Sequence, residues 1–165
     1  MTDVDPVLRP LEERDLDALL CVQEEGAVAG LGHIFPKSEY PFPTADLRRR
    51  WAEELADPSI DCFAVVDDTG ALAGFAATRG DQFLHFGTAL STWGSGLAGQ
   101  AHDEVVEHLA AQGYESAWLR VFQENQRARR FYERRGWTAT GERARSAYPP
   151  QPVLLHYARD LSTGA

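Results

Sequence analysis

A glycine-rich turn followed by a helical pattern is the feature that most constrains the fold of this chain. The turn, Gly94-Ser95-Gly96, follows an alternating apolar stretch at 82–88 and precedes a helical pattern at 96–112. Glycines let backbone N–H groups approach a ligand closely, and the N-terminus of a helix attracts anions. The segment 94–98 is therefore predicted to bind a pyrophosphate through its backbone, between a strand and a helix.

A second motif, Asn125–Trp137, follows one predicted strand later. It begins with Asn125, which can cap a helix, places Phe131 and Tyr132 on a helical stripe and ends the helix at Gly136. Taken alone, these residues also allow plain roles, because a tyrosine on such a stripe is usually core and an asparagine caps a helix without any ligand.

Together the two motifs resemble those of the GNAT superfamily of acetyl-CoA-dependent N-acetyltransferases. The family's cofactor motif reads Gln/Arg-x-x-Gly-x-Gly/Ala, and its next helix reads Asn-x-x-Ala-x-x-Phe-Tyr-x-x-x-Gly-Phe. Trp93 stands where Gln or Arg is usual, and Trp137 replaces Phe. The resemblance covers most of residues 7–161, and the core 84–137 is its motif-specific part. The matching positions are Gly96, Ala98, Asn125, Ala128, Phe131, Tyr132 and Gly136.

The resemblance implies one N-acetyltransferase domain over residues 1–165 with an α/β fold on a mixed sheet. About seven mostly antiparallel strands, a central parallel pair and four helices are expected. The residue patterns agree, because a hairpin is predicted around the turn 67–70 and a buried strand at 116–122 would run parallel to 82–88. The patterns predict helices at about 13–25, 44–57, 96–112 and 125–135, and strands at about 7–10, 61–66, 72–78, 82–88, 116–122, 137–143 and 153–160.

The resemblance also implies an acetyl-CoA site around the glycine turn, without a metal. Thr88 and Leu90 would contribute main-chain hydrogen bonds to pantetheine and to the thioester carbonyl, where such donors stabilise the oxyanion that forms on attack. Tyr132 would be the general acid for the departing thiolate. The predicted cofactor-binding residues are Thr88, Leu90, Gly94, Ser95, Gly96, Leu97, Ala98, Asn125 and Arg127.

The general base is not identified by the residue pattern alone. Many relatives carry an acid near the start of the strand 82–88, where this chain has Gln82 next to Asp81. His85 titrates in a suitable range and is the predicted catalytic base, with Asp81, His33 and water as alternatives. The acceptor site is expected between the loops 30–43 and 146–152. Its predicted residues are His33, Phe35, Tyr40 and Tyr148.

The net charge of −9 is distributed unevenly along the chain. Residues 1–90 hold 7 basic and 17 acidic groups, whereas residues 91–165 hold 9 basic and 8 acidic groups. The acidic half favours a cationic acceptor, and six arginines between positions 120 and 135 suit a polyanion such as CoA. A domain this acidic repels phosphate backbones, so nucleic acid is not an expected partner. The resemblance implies a small-molecule amine as the partner.

Two other functions fit parts of the sequence. Gly94, Gly96 and Gly99 match a dinucleotide-binding pattern, but a hairpin precedes them and only about 65 residues follow, too few for further βαβ units. A CoA-binding regulatory or sensor domain would keep the same fold without turnover. The favoured interpretation is an acetyltransferase, monomeric or homodimeric, whose amine substrate attacks acetyl-CoA directly in a ternary complex.

The sequence also favours a cytoplasmic location. Cys21 and Cys62 lie in apolar runs without metal or disulfide spacing and are predicted to be buried free thiols, which suit a reducing compartment. There is no charged-then-apolar leader and no apolar stretch of about 18 residues, so neither secretion nor a membrane is expected.

Overall fold

The computed structural model describes residues 5–161, which form one mixed sheet with helices packed on both faces. The ends of the predicted domain, 1–4 and 162–165, lie outside the described residues. No helix in the described part is long and apolar enough to cross a membrane. The strands are β1 (Leu8–Pro10), β2 (Ile60–Val66), β3 (Leu72–Arg79), β4 (Gln82–Thr88), β5 (Ser116–Phe122), β6 (Thr138–Arg145) and β7 (Val153–Asp160), and the α-helices are α1 (Leu16–Leu31), α2 (Thr44–Ala56), α3 (Leu97–Ala111) and α4 (Gln126–Glu133).

The order of the strands across the sheet is β1-β2-β3-β4-β5-β7-β6. Neighbouring strands are antiparallel except β4 and β5, which run parallel because α3 connects them. Residues 5–161 thus contain seven strands, one parallel pair and four α-helices, and the predicted α/β architecture is confirmed.

Strands β4 and β5 pair at only one end. In the described chain a single bridge joins Gln82 to Trp118, whereas β5 pairs with β7 from Ser116 to Phe122. The Trp118 side chain reinforces the bridge, since its Nε1 donates to Asp81 Oδ1 (3.1 Å). Beyond the bridge the two strands separate, and a gap opens in the middle of the sheet toward their C-terminal ends.

A β-bulge in β4 changes which side chains face each side of the sheet. The register with β3 shifts between Phe83 and His85, which leaves Leu84 as the extra residue. An unbroken alternation along β4 would place Leu84 and Phe86 on one face, but Phe86 packs with Phe83 and α3, whereas Leu84 packs with α1 and α2. Bulges redirect side chains in this way. His85 consequently faces α2.

Two apolar clusters attach the helices to the sheet. On one face Val105 of α3 packs with Leu119 of β5, and α4 packs against the same cluster. On the other face Leu19 of α1 and Trp51 of α2 pack with Phe75 of β3. Burial of apolar surface is the main stabilising term in folding. The two clusters therefore pack on both faces of a sheet that is open between β4 and β5.

Helix α1 is longer than predicted. The apolar spacing indicated an end near Glu25, but the helix continues through Gly26 and Gly30 to Leu31. A glycine costs a helix about 1 kcal/mol and does not end it when the helix is packed. A Cβ on Gly30 would lie 3.6 Å from the Trp93 ring, so α1 packs beside the segment that precedes α3.

The two cysteines differ in burial. Cys62 of β2 is half-buried, but Cys21 of α1 is exposed, so its predicted burial is wrong. The helical turn explains the error, because Leu19 and Leu20 face the core and the next residue turns away from it.

A buried polar pair joins α3 to the segment before β6. His102 is 1% exposed and Trp137 is 2% exposed, and Trp137 Nε1 donates to His102 Nε2 (2.9 Å). Because Nε2 accepts, the ring proton lies on Nδ1 and is donated to Asp103 Oδ1 (2.9 Å). Burial lowers the pKa of His102, which favours the neutral ring that this pair requires.

We expect the fold to lose stability as the pH falls below 6.5, the ordinary pKa of a histidine. The unfolded chain then binds a proton at His102 that the folded chain does not, so the free energy of unfolding falls by up to about 1.4 kcal/mol per pH unit. The loss ends below the lowered pKa of folded His102, and above pH 6.5 the contribution is fully present. Urea unfolding between about pH 5 and 8 measures this slope.

His102→Gln is the control for this pH dependence. The glutamine oxygen can still accept from Trp137, but the side chain does not titrate. The stability of the variant should therefore change less below pH 6.5 than that of the wild type. Equal slopes in the two proteins would attribute the acid sensitivity to other groups.

Candidate active site

The glycine turn lies at the open end of the gap, directly before α3. Gly94 and Gly96 have φ angles of +83° and +93°, and α3 begins at Leu97. A Cβ on either glycine would meet no atom within 4 Å, so the space beside the turn is open. The Ser95 hydroxyl stabilises the turn by donating to Thr92 O and accepting from Leu97 N–H. The N-terminus of a 15-residue helix thus borders open space, as anion binding requires.

The last residues of β4 direct peptide groups toward the gap. Ala89 N–H donates to Ala73 O (2.7 Å), so in the antiparallel pattern the N–H and C=O of Thr88 point away from β3. The Thr88 carbonyl accepts from Trp93 Nε1 (3.1 Å). Leu90 follows in a short 3₁₀ turn and is 43% exposed. Both predicted main-chain sites therefore lie at the open end of the gap.

The side chains of Trp93 and Arg127 contact each other across the open end of the gap. Arg127, in the first turn of α4, places its guanidinium carbon 3.5 Å from the centre of the Trp93 ring. A second cation, Arg135, lies against the first turn of α3, where a Cβ on Gly99 would be 2.9 Å from its guanidinium. From the sequence motif alone, Trp93 only replaces the Gln or Arg that the family usually has at this position. The indole instead has two contacts of its own, one on each side of the gap.

Tyr132 lies on α4 against the apolar cluster of α3. Its ring contacts Phe131 edge-on, with 5.3 Å between ring centres, and Phe131 contacts Phe86 of β4 (5.9 Å). Helix α4 therefore packs across the gap onto β4. Within residues 5–161 the Tyr132 hydroxyl has no hydrogen-bond partner. Burial raises the pKa of Tyr132, so its phenol keeps its proton at neutral pH.

The loop after α1 reaches the same end of the gap. Phe35 packs edge-on against Phe122, the last residue of β5, with 5.4 Å between ring centres. His33 Nε2 donates to the Glu124 carbonyl (2.8 Å). Asn125 comes next, and its Oδ1 caps α4 by accepting from the third backbone N–H of the helix (3.1 Å). Loop 32–43 is thus attached to the turn between β5 and α4.

A histidine, a glutamate and an arginine interact on the opposite face of β4. His85 Nε2 contacts both carboxylate oxygens of Glu54 (2.8 and 3.1 Å), and Arg50 Nε donates to Glu54 Oε1 (3.0 Å). Burial raises the pKa of Glu54, but hydrogen bonds and charge attraction from His85 and Arg50 outweigh burial, and the pKa lies below its ordinary 4.5. Glu54 is therefore ionised at neutral pH, although its side chain is only 10% exposed.

A cavity of about 580 Å³ lies between α2 and loop 146–152, and its lining includes Arg50 and Glu54 but not His85. Tyr148 lines it next to Arg50. Burial lowers the pKa of Arg50, but contacts with Glu54 and then with Tyr148 outweigh burial and raise it. The remaining charged residues of the lining are Asp46, Glu53, Asp57, Arg49 and Arg79.

The structure separates the predicted site residues into two groups, apart from Tyr132 on α4 and Tyr40 in loop 32–43. His85 and Tyr148 lie on the α2 face, at the Glu54 carboxylate and in the cavity. Tyr40 is half-buried in loop 32–43 and does not line the cavity. The group at the open end of the gap contains Thr88, Leu90, Gly94, Ser95, Gly96, Leu97, Ala98, Asn125, Arg127, His33 and Phe35.

Two alternative bases are already hydrogen-bonded to the protein. Asp81 accepts from Trp118 at the closed end of the gap, and His33 donates to a backbone carbonyl. Glu54, by contrast, was missed by the sequence reasoning. Its position carried a signal, because it falls three residues after Trp51 and seven after Leu47, on the buried stripe of α2.

Comparison with known proteins identifies the fold. A family model described as the acetyltransferase (GNAT) family matches residues 33–137. A search of curated proteins found no match. The spermidine N-acetyltransferase of Vibrio cholerae in complex with CoA and spermine is 17% identical, with a TM-score of 0.72 over 95% of this chain and 96% of its own. The PaiA N-acetyltransferase of Thermoplasma acidophilum in complex with coenzyme A is 14% identical, with a TM-score of 0.71 over 93% and 97%.

The matched segment spans more than half of the chain and includes β4, the glycine turn, the gap and α4. At these identities the two solved structures establish the fold, and the family model establishes the relationship. The chain belongs to the acetyltransferase (GNAT) family, a family of N-acetyltransferases, and has the fold of that family.

Proposed function

We propose that this protein transfers the acetyl group of acetyl-CoA to a primary amine of a small molecule, by direct attack in a ternary complex. The observation that carries the proposal is the gap between β4 and β5, with the glycine turn and the N-terminus of α3 at its open end. At such a gap the peptide groups of β4 that do not pair with β5 can hydrogen-bond to an extended ligand that itself contains amides.

The residues at the open end suit a polyanionic cosubstrate. Gly94 and Gly96 leave open space at the N-terminus of α3 for a pyrophosphate. Arg127 and Arg135 supply cations beside the turn. The main chain of residues 88–90 would bind pantetheine and the thioester carbonyl, and Asn125 would contact the cofactor arm.

Tyr132 would protonate the departing thiolate. Its raised pKa keeps the proton on the phenol, and its hydroxyl has no partner among the described residues that would compete for it. A thiol has a pKa near 8.5 and is already a fair leaving group, so this proton should contribute about ten- to a thousandfold in rate.

A cysteine nucleophile has no part in this mechanism. Burial, followed by the charges of Glu54 and Asp61, raises the pKa of Cys62 to about 11. Cys62 is therefore a thiol at neutral pH and a poor nucleophile. Cys21 lies exposed on α1, outside both groups of site residues. These features favour attack by the amine itself over a covalent enzyme intermediate.

His85 would be the general base. An alkyl ammonium has a pKa near 10.4 and must lose a proton before it can attack. The neutral amine nitrogen then bonds to the thioester carbonyl carbon, and the C–S bond breaks. One amine proton passes to His85 and from there to water. The thiolate takes the proton of Tyr132. A second amine proton, delivered through solvent, then restores the Tyr132 hydroxyl.

The proposed acceptor is a small cationic amine that binds between the cavity lined by Tyr148 and the open end of the gap, where His33 and Phe35 lie. The cavity beside Glu54 contains four carboxylates and three guanidiniums, so its lining is acidic on balance. Aromatic rings add cation–π contacts of about 0.5–2 kcal/mol each. The similar structure from Vibrio cholerae is a spermidine N-acetyltransferase with spermine bound, and a polyamine is a cation of this kind.

Gly96→Glu should abolish CoA binding, because the carboxylate would fill the open space beside the turn and repel the pyrophosphate. Gly113→Glu is a matched control. Gly113 has a φ of +94°, close to the +93° of Gly96, and equally open space, but lies beyond the other end of α3. Both variants should lose about 1–2 kcal/mol of stability from the left-handed backbone. Calorimetry should find CoA affinity lost, about a hundredfold or more, only in Gly96→Glu. Equal CoA affinities in the two variants would contradict the pyrophosphate assignment.

Tyr132→Phe should lower turnover by about tenfold or more while stability and CoA affinity stay near wild type, because it removes only a hydroxyl that has no partner among residues 5–161. Tyr157→Phe gives the opposite pattern. The Tyr157 hydroxyl donates to Glu133 Oε2 (2.6 Å) and accepts from Arg129 Nε (3.0 Å), so its loss should destabilise the fold by about 1–3 kcal/mol. Steady-state kinetics and urea unfolding of both variants separate the two roles. If Tyr132→Phe lost stability and activity in parallel, its hydroxyl would be structural.

The cationic acceptor predicts a specific salt dependence. Thiol release from acetyl-CoA should be tested with polyamines, amino acids, aminoglycosides, aryl amines and peptide N-termini. For a cationic acceptor the apparent KM should rise severalfold between about 0.05 and 0.5 M salt, as screening weakens the acidic lining. A preference for a neutral or anionic amine would overturn the acceptor class. CoA binding without turnover on any amine would instead favour the sensor domain.

A further inference from the structure

We propose that Glu54 is a positioning residue for acetyl transfer. It holds neutral His85 in the tautomer that carries the proton on Nε2, and the lone pair of Nδ1 can then accept a proton from the amine. The inference rests on the proposed function, in which His85 is the general base. It goes beyond that function, because it assigns a role to a residue of α2 outside the motif-specific segment 84–137.

The hydrogen-bond geometry selects the tautomer. Both oxygens of Glu54 face His85 Nε2, at 2.8 and 3.1 Å. A carboxylate only accepts hydrogen bonds, so a neutral imidazole must present an N–H at this position rather than a lone pair. The proton of neutral His85 therefore lies on Nε2, and Nδ1 is the basic nitrogen.

The second nitrogen of His85 is available for proton transfer. Within residues 5–161 no protein group hydrogen-bonds to Nδ1, and the His85 side chain is 20% exposed to solvent. Nδ1 can thus meet a ligand or a water molecule while Nε2 remains bound to Glu54.

The surroundings keep Glu54 charged and the ring in place. Burial raises the pKa of Glu54, but its contacts with His85 and then with Arg50, whose Nε donates to Oε1 (3.0 Å), outweigh burial and hold the pKa below its ordinary value. Trp51 packs against the imidazole with 4.9 Å between ring centres, and Trp51 is itself fixed by a hydrogen bond from Nε1 to Gln23 Oε1 (3.1 Å). The ring is therefore oriented before substrate arrives, as general-base catalysis favours.

The test combines a spectroscopic readout with kinetics. Nitrogen-15 NMR of histidine-labelled wild-type protein at about pH 9 reports which ring nitrogen of a neutral histidine carries the proton, and His85→Asn assigns the signal. We expect the Nε2–H tautomer in the wild type. Glu54→Gln, whose amide can donate to Nε2, should shift His85 toward the Nδ1–H tautomer and lower kcat about ten- to a hundredfold, with the KM for acetyl-CoA unchanged.

Asp15→Asn is the matched control, because it breaks another ion pair of similar burial, between β1 and the turn before α1. The Asp15 side chain is also 10% exposed, and its carboxylate accepts two hydrogen bonds from Arg9 (2.8 and 2.9 Å). This variant should lose stability without changing kcat or the His85 signal. A parallel loss of kcat in both variants would indicate that Glu54 acts only through stability, and would overturn the inference.

The remaining outcomes separate the inference from the proposed function. An Nδ1–H tautomer in the wild type overturns the inference whether or not Glu54→Gln folds. Wild-type kcat in Glu54→Gln also overturns it and leaves acetyl transfer intact. A wild-type protein that binds acetyl-CoA but acetylates no amine in the panel overturns the proposed function, and the catalytic role of Glu54 with it.

Discussion

The single bridge between β4 and β5 is the constraint on which the site depends. If the strands paired along their full length, the Thr88 peptide group would bond to β5 and the sheet would be continuous. Pairing at Gln82 and Trp118, reinforced by Asp81, holds only the closed end. The strands stay in one sheet because β3 and β7 pair with their outer edges. The opening therefore exists without loss of the fold.

Side chains, rather than backbone pairing, join the two sides of the opening. Helix α4 packs across it through the Phe131 ring on Phe86, and Arg127 covers the Trp93 ring at the mouth. Such contacts can rearrange when a ligand enters, whereas strand pairing is harder to break. The apolar cluster beneath α4 remains continuous with α3, so the acid candidate Tyr132 is carried on a firmly packed helix.

One extra residue in β4 determines which side chains lie on each of its two faces. The bulge at Leu84 leaves Phe86 on the face of α3 and α4 and turns His85 to α2. The glycine turn and Tyr132, proposed to bind the polyanion and to protonate the leaving group, lie on one side, and the Glu54–His85 pair and the acidic cavity lie on the other. In the proposed ternary complex, an amine and a thioester would approach from opposite faces and meet at the gap.

The sequence by itself determined the order of elements and the glycine turn, because local spacing and backbone freedom at Gly94 and Gly96 are encoded in neighbouring residues. It also indicated the cap at Asn125 and the helix that follows. Only the tertiary structure decided the length of α1, the bulge at Leu84 and the pairing of Glu54 with His85, which lie 31 residues apart. These features depend on which surfaces meet after folding, and packing between distant segments overrides local preference.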